Sequence, residues 1–315
     1  MKALEKENRF YYMGLAMLAI VLHHLCIRCD YAWHVSTFPF EYFRHGNMGV
    51  DVFLFVSAYG CCASWEKNRP LQYMRNRLRR IYPQYILFLL ITVAWFFHSE
   101  GWLQMGKDII CSMLGISTFY CIGAHVEWYV PTLLLMYLFL PLIKSCKPIW
   151  QGWIGTICML TAFIICWFGK DQGIIHYLAF YRIPIILCGI YAWENRQDTG
   201  RLAITFALLS ILAIALGPDM LTRSMAVPCL LMIASLIDQA HLIARQPITF
   251  IGKHSFEIFL AQTITTQFMM PTYFWHNKWL SLTIIIASTI AFSFLFALWE
   301  KAYKKIISLL IPKKS

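Results

Sequence analysis

Seven residues able to carry charge or exchange protons stand within or at the ends of long apolar segments: His23, His24, Asp51, His125, Glu127, Arg182 and Glu257. An ionisable group facing lipid is expensive, so each marks a candidate functional site. Histidine titrates near neutrality, and burial keeps its ring neutral and ready to take a proton as a general base. The same ring also serves as a hydrogen-bonded link between membrane helices. His23 and His24 are adjacent and point about 100° apart on a helix, so at most one squarely faces a cavity. Asp51 either orients an imidazole, as carboxylates do in catalytic triads, or caps its helix. Glu127 and Glu257 admit the same catalytic and structural readings. A different chemistry is offered by Arg75, Arg77, Arg79 and Arg80, which lie just before Ile81-Tyr82-Pro83. Guanidinium forks bind phosphate in bidentate fashion, and a cation run at a membrane face also acts as a topogenic stop or a contact for anionic head groups. No metal is expected.

These residues must be positioned by apolar helices. Of the 315 residues, 59% are hydrophobic and 14% are charged, against ~45–50% and ~25% in soluble domains. That balance excludes an ordinary soluble enzyme and a disordered chain. Uncharged stretches near the ~20 residues needed to cross a bilayer recur: Phe10–Ile27, Ile81–Phe97, Pro148–Gly169, Leu202–Pro218, Ile258–Asn277 and Trp279–Trp299. A membrane β-barrel would instead show ~10-residue alternating segments. The net charge of +11 sits in short loops between apolar segments rather than on one face, which argues against a nucleic-acid partner and for the lipid bilayer. No small-residue cleavage site follows the first segment, which reads as a retained helix.

The expected fold is all-α, a polytopic transmembrane helical bundle forming a single domain over 1–315. Ten spans are expected, at 9–27, 49–65, 81–98, 128–144, 152–168, 182–193, 202–217, 223–238, 255–271 and 279–300. Residues 107–120 are too short to cross and read as an interfacial or re-entrant helix. An even count puts both termini on one side. With the termini in the cytoplasm, 20 of the 27 Lys and Arg fall on the inner side and 7 on the outer, the asymmetry that the positive-inside rule requires.

Taken in order, the segments resemble the acyltransferase-3 family of integral membrane acyltransferases, many of which O-acetylate bacterial cell-surface sugars. The stretch from Gly14 to His23-His24 looks like the family's first helix with its terminal histidine, and His24 aligns with that histidine. Gly49-Val50-Asp51 through Ser57-Ala58-Tyr59 is similar to its Gly-Val-Asp segment. Arg77-Leu78-Arg79-Arg80-Ile81-Tyr82-Pro83 matches its Arg-x-x-Arg-Ile-x-Pro run. Trp128-Tyr129-Val130-Pro131 through Tyr137 and Pro141, Arg182-Ile183-Pro184 with Cys188-Gly189, and Gly252-Lys253-His254-Ser255 through Leu260 resemble three further motifs. Three positions depart from the pattern: Met13 stands where an Arg is common, Leu133 where a Glu is common, and Gln262 where a His is common.

The resemblance implies a cytoplasmic acyl-CoA donor, usually acetyl-CoA, a carbohydrate hydroxyl acceptor at the outer face, and a multi-pass protein of the bacterial inner membrane. In that frame His24 is the base, with Asp51 or Glu127 holding its ring. Arg75, Arg77, Arg80 and Arg182 bind the donor's phosphates, and His23, Tyr137, Glu257 and Gln262 contact substrate. The rival reading is a carrier for a sugar or a lipid-linked intermediate. Against it, the chain has no repeated halves and no paired Gly/Pro-broken spans.

Overall fold

The computed structural model describes residues 6–33, 43, 45–100, 102–114, 116, 128–168, 181–216, 224–231, 233, 245–269 and 278–310. Lipid offers no hydrogen bonds, so a spanning backbone must satisfy its own polar groups, and helices do this within one segment. The described elements are α1 (Lys6–Trp33), α2 (Met48–Lys67), α3 (Pro70–Glu100), α4 (Trp102–Leu114), α5 (Tyr129–Ser145) and α6 (Pro148–Phe168). They continue with α7 (Ile183–Glu194), α8 (Thr199–Leu216), α9 (Arg245–Lys253), α10 (Ser255–Thr263) and α11 (Lys278–Leu310). Residues 224–231 are also helical, and no strand occurs among the described residues.

A helix falls within each of the ten expected segments. Three are long and apolar enough to cross a bilayer, at Asn8–Ile27, Met48–Lys67 and Leu280–Leu309; Tyr129–Ser145, Trp153–Ala162, Ile183–Glu194 and Thr199–Leu212 are shorter apolar helices. The segment expected at 255–271 is not one regular helix, because α10 gives way to a π-helical turn at Ile264–Met269. The short segment expected near 107–120 is represented by α4, which lies back on α3 through the Tyr82 hydroxyl, a donor to the Met113 carbonyl at 2.6 Å.

Helices that share a lipid environment gain little from hydrophobic association, so close packing over small residues holds them together. On α1 and α9, Gly14 and Gly252 provide that approach. A Cβ on Gly252 would lie 1.7 Å from the Phe10 carbonyl oxygen, and one on Gly14 would lie 2.0 Å from that of Ile248. Glycine at both positions lets the two backbones touch. The same device recurs between α2 and α7, where a Cβ on Gly189 would meet the Phe55 carbonyl at 2.5 Å.

α2 and α7 run parallel and are tied at both ends. At one end Arg182, at the N-terminus of α7, pairs with Asp51 of α2. Ser224 donates to the other carboxylate oxygen of Asp51 at 3.0 Å and also accepts from Arg182 at 3.1 Å. The Arg182 guanidinium lies 5.7 Å from the ring centre of Trp128, just before α5. Asp51 is 0% and Arg182 is 2% exposed. At the other end the Trp193 indole donates to Glu66 at 2.6 Å, and Arg196 stands 3.6 Å from the same carboxylate.

Two outcomes are expected. Gly252→Ala should lower the thermal unfolding midpoint in detergent, because the overlap is with backbone; overpacking of this kind costs roughly 1–3 kcal/mol. Gly155→Ala on α6, where a Cβ meets nothing within 4 Å, should be neutral or gain about 0.5–1 kcal/mol. Similar midpoints for the two variants would contradict the close α1–α9 contact. Asp51→Leu or Arg182→Met alone should cost about 3–5 kcal/mol by stranding a buried charge, whereas the two together should recover most of that loss. The check is monodisperse yield and thermal midpoint across the double-mutant cycle. A double variant no better than the worse single one would refute the pairing as a unit.

Candidate active site

A cleft runs between α1, α2, α3, α5 and α10, enclosing about 970 Å³ when its open part is included. Helical periodicity explains which residues reach it. On α1, Arg9, Met13 and Ile20 fall within about 40° of one another at 3.6 residues per turn, and all three line the cleft. His24 continues the same face one turn beyond Ile20. On α10, Ser255 and Phe259 line the cleft, and Gln262 continues their face. The two faces meet where the ring nitrogen Nδ1 of His24 stands 3.0 Å from Oε1 of Gln262. This pair lies one helical turn past one end of the cleft.

The opposite end is cationic. Arg9, Arg77, Arg80 and Lys253 all line the cleft there. Arg77 is anchored to α2 by donating to the Gly60 carbonyl at 3.1 Å, and its guanidinium lies 5.6 Å from the Tyr73 ring centre and 5.8 Å from that of Tyr137. Burial pushes the Tyr73 hydroxyl far up, keeping it neutral beside that cation. A Cβ on Gly60 would meet the Arg9 guanidinium at 3.4 Å, so Arg9 and Arg77 both approach one small residue of α2. Two carboxylates share this end. Glu300 accepts from Gln84 at 2.9 Å and pairs with Lys304, while Glu257 stands 3.6 Å from His254. Between the ends the lining is apolar, with Met13, Ile20, Val50, Phe53, Leu133 and Phe259. Four cations thus stand at one end of a largely apolar passage, and the His24 imidazole lies one turn beyond the other end.

Several expected site residues are redistributed. Of the four-arginine cluster, only Arg77 and Arg80 line the cleft; Arg75 and Arg79 are exposed on the opposite face of α3. Arg182 is not among the cleft residues and instead neutralises Asp51. Asp51 does not hold an imidazole, since both its carboxylate oxygens are taken by Arg182 and Ser224. The reason is rotational: Asp51, Phe55 and Ala58 occupy one face of α2 toward α7, while Val50, Phe53, Ser57 and Gly60 occupy the face toward the cleft. His23 turns its Nδ1 to the Phe43 carbonyl at 3.3 Å, away from Gln262. Tyr137 and Glu257 do line the cleft. Glu127, like His125, lies outside the described residues. Gln262, expected to touch substrate, touches His24.

Arg9 and Lys253 belong to the cleft without having been singled out as site residues, since as loop and terminal cations they counted only toward orientation. A usable signal existed, because Arg9 lies four residues before Met13 on the histidine's own face of α1. The π-helical turn two residues past Gln262 had no comparable signal, although such turns are frequent at functional sites.

Comparison with known proteins places the chain in a family. A curated protein of Acidianus two-tailed virus, named "Putative acetyltransferase ORF330", is 24% identical over 222 residues, covering 65% of this chain and 64% of the relative. The chain thus matches just under two thirds of that relative's length. No solved structure matches. Residues 14–298 match the acyltransferase-3 model, described as an acyltransferase domain, a range that contains His24, Gln262, Arg77, Arg80 and Lys253. With this match over most of its length, the chain belongs to the acyltransferase-3 family of membrane acyltransferases.

Proposed function

We propose that this protein moves an acyl group, an acetyl group in the simplest case, from cytoplasmic acyl-CoA to a hydroxyl of a carbohydrate at the outer face of a bacterial inner membrane. The observation that carries this reading is the order of residues along one face of α1. Arg9 stands among four cleft cations, Met13 and Ile20 line the apolar middle, and His24 follows. From Arg9 to His24 is about 22 Å at 1.5 Å per residue, a length that separates nucleotide phosphates from a thioester. The phosphates of CoA would sit against Arg9, Arg77, Arg80 and Lys253, with the pantetheine arm in the apolar stretch. Ten spans with cytoplasmic termini would put the cationic end inside and His24 in the outer half, in keeping with the 20-to-7 cation asymmetry.

In the reaction, His24 takes the proton of the acceptor hydroxyl as its oxygen attacks the thioester carbonyl. The tetrahedral intermediate then collapses, the C–S bond breaks, and the departing CoA sulfur receives that proton from His24. A water-poor site strengthens each hydrogen bond to the developing oxyanion. The acetyl group is suggested by the viral relative's name, and the carbohydrate acceptor by the family resemblance of the motifs.

Two measurements on purified protein with acetyl-CoA test this. Arg80→Gln with Lys253→Gln should raise the donor KM by roughly tenfold or more at similar kcat, since charge-assisted hydrogen bonds contribute about 1.5–3 kcal/mol each. Unchanged donor kinetics would leave the cleft cations with a topogenic role alone. His24→Gln should cut turnover by about 10²–10⁴-fold with donor binding retained, the usual effect of losing a general base, and His23→Gln should cost far less. A fully active His24→Gln protein would remove the base from the mechanism.

A further inference from the structure

Gln262 is 1% exposed, and an amide is an unusual group to bury on a membrane helix unless it has a partner. Its partner is the base itself: Oε1 faces His24 Nδ1 at 3.0 Å. An amide oxygen only accepts, so with the carbonyl side of the amide toward the ring the proton of that hydrogen bond sits on Nδ1. A neutral imidazole carries one ring proton, and Nε2 is therefore left with its lone pair. In water the ring favours the opposite tautomer, with the proton on Nε2, so this contact selects the less favoured form. From this juxtaposition we infer that Gln262 is a positioning residue that fixes His24 as the Nδ1–H tautomer and thereby presents Nε2 as the proton-accepting nitrogen.

The surroundings of Gln262 fit a fixed post rather than a movable side chain. Its backbone carbonyl accepts from two hydroxyls, Thr266 Oγ1 at 2.6 Å and Thr265 Oγ1 at 3.2 Å. Thr265 is in turn hydrogen-bonded to Thr289 of α11 at 2.7 Å. These bonds lie at the junction of α10 with the π-helical turn, where the regular backbone ladder changes register and a carbonyl needs other donors. The backbone that carries the amide is thus held by α10 and α11 together, which is the support that a precise site requires. The arrangement also serves both halves of the catalytic cycle. When Nε2 takes the acceptor's proton, Nδ1–H goes on donating to Oε1, and when Nε2 returns that proton to the departing CoA sulfur the same tautomer is restored. Neither ring nor amide has to turn.

This inference rests on the proposed role of His24 as the base. The test uses the full-length protein in detergent, with ¹⁵N-labelled histidine, comparing wild type with Gln262→Met, Gln262→Glu and His24→Gln. The His24 resonances are assigned by their loss in His24→Gln. Wild type should show the proton on Nδ1, and Gln262→Met, of similar size but without an acceptor, should shift it toward Nε2. Gln262→Met should lower kcat by roughly 10²-fold with little change in donor KM, below the ~10⁴-fold effect of a wrong tautomer in a serine protease. Gln262→Glu keeps an acceptor oxygen and should recover most of that loss, which a purely structural amide would not predict. Three results would overturn the inference: wild-type His24 protonated on Nε2, Gln262→Met with kcat near wild type, or Gln262→Glu no better than Gln262→Met. With His24→Gln inactive, any of them removes the positioning role alone. A fully active His24→Gln removes the base assignment and this inference together.

Discussion

The buried pair of Asp51 and Arg182 is the contact on which the rest of the arrangement turns. Two opposite charges at 0% and 2% exposure are tolerable in a membrane bundle only as partners, and each dictates where the other must be. Their pairing fixes the rotation of α2 about its own axis. With Asp51, Phe55 and Ala58 committed to α7, the face carrying Val50, Phe53, Ser57 and Gly60 has to look the other way, toward α1 and α3. That second face is one wall of the cleft. Ser224 and the Trp128 ring also contact the guanidinium, so the helical residues 224–231 and the start of α5 are recruited by the same pair.

Around this anchor, polarity is sorted along the cleft by helix periodicity rather than by any one loop. On α3 the face holding Tyr73, Arg77, Arg80, Ile81 and Gln84 turns inward, which leaves Arg75 and Arg79 pointing away. Pro83 sits inside this helix, removing one backbone donor, and its own carbonyl accepts from the Trp299 indole of α11 at 2.6 Å. Gln84 reaches Glu300, the next residue of α11. A helix interrupted by proline is thereby braced from outside at the level where its arginines enter the cleft. The histidine end is braced in a comparable way, by the α10–α11 contacts around the π-helical turn. The arginine end and the histidine end both lean on α11.

The glycine contacts explain how so narrow an assembly closes. α1 is approached by α9 over Gly14 and Gly252 and by α2 over Gly49, where a Cβ would stand 2.4 Å from the Ala16 carbonyl. The α9 approach lies on a face of α1 other than the one bearing Arg9, Met13, Ile20 and His24, so there close packing and the cleft use different angular sectors of one helix. The α2 approach is on the cleft face itself, where a Cβ on Gly49 would also stand 2.8 Å from Ile20, and it closes that face beside Ile20.

Much of this was legible from the residues alone. Apolar length and charge depletion determined that the chain is a bundle of membrane helices, since lipid permits few other spanning structures. Motif order determined the family, and it drew attention to Arg77, Arg80 and Tyr137, which line the cleft, and to His24, which stands one turn beyond it. The division of the arginine cluster into inward and outward pairs was also within reach, because it follows from 3.6 residues per turn. Which faces meet across the bundle was decided only by the tertiary structure. Asp51 finds Arg182 across 131 positions, and His24 finds Gln262 across 238. Period and composition say which residues share a face of one helix; they carry no information on how far a neighbouring helix is rotated. That rotation is set by side-chain shape, by glycine contacts and by the need to pair buried charge, all of which exist only once the helices have packed. For this reason Asp51 reads in sequence as a partner for histidine and proves in the fold to be the partner of arginine.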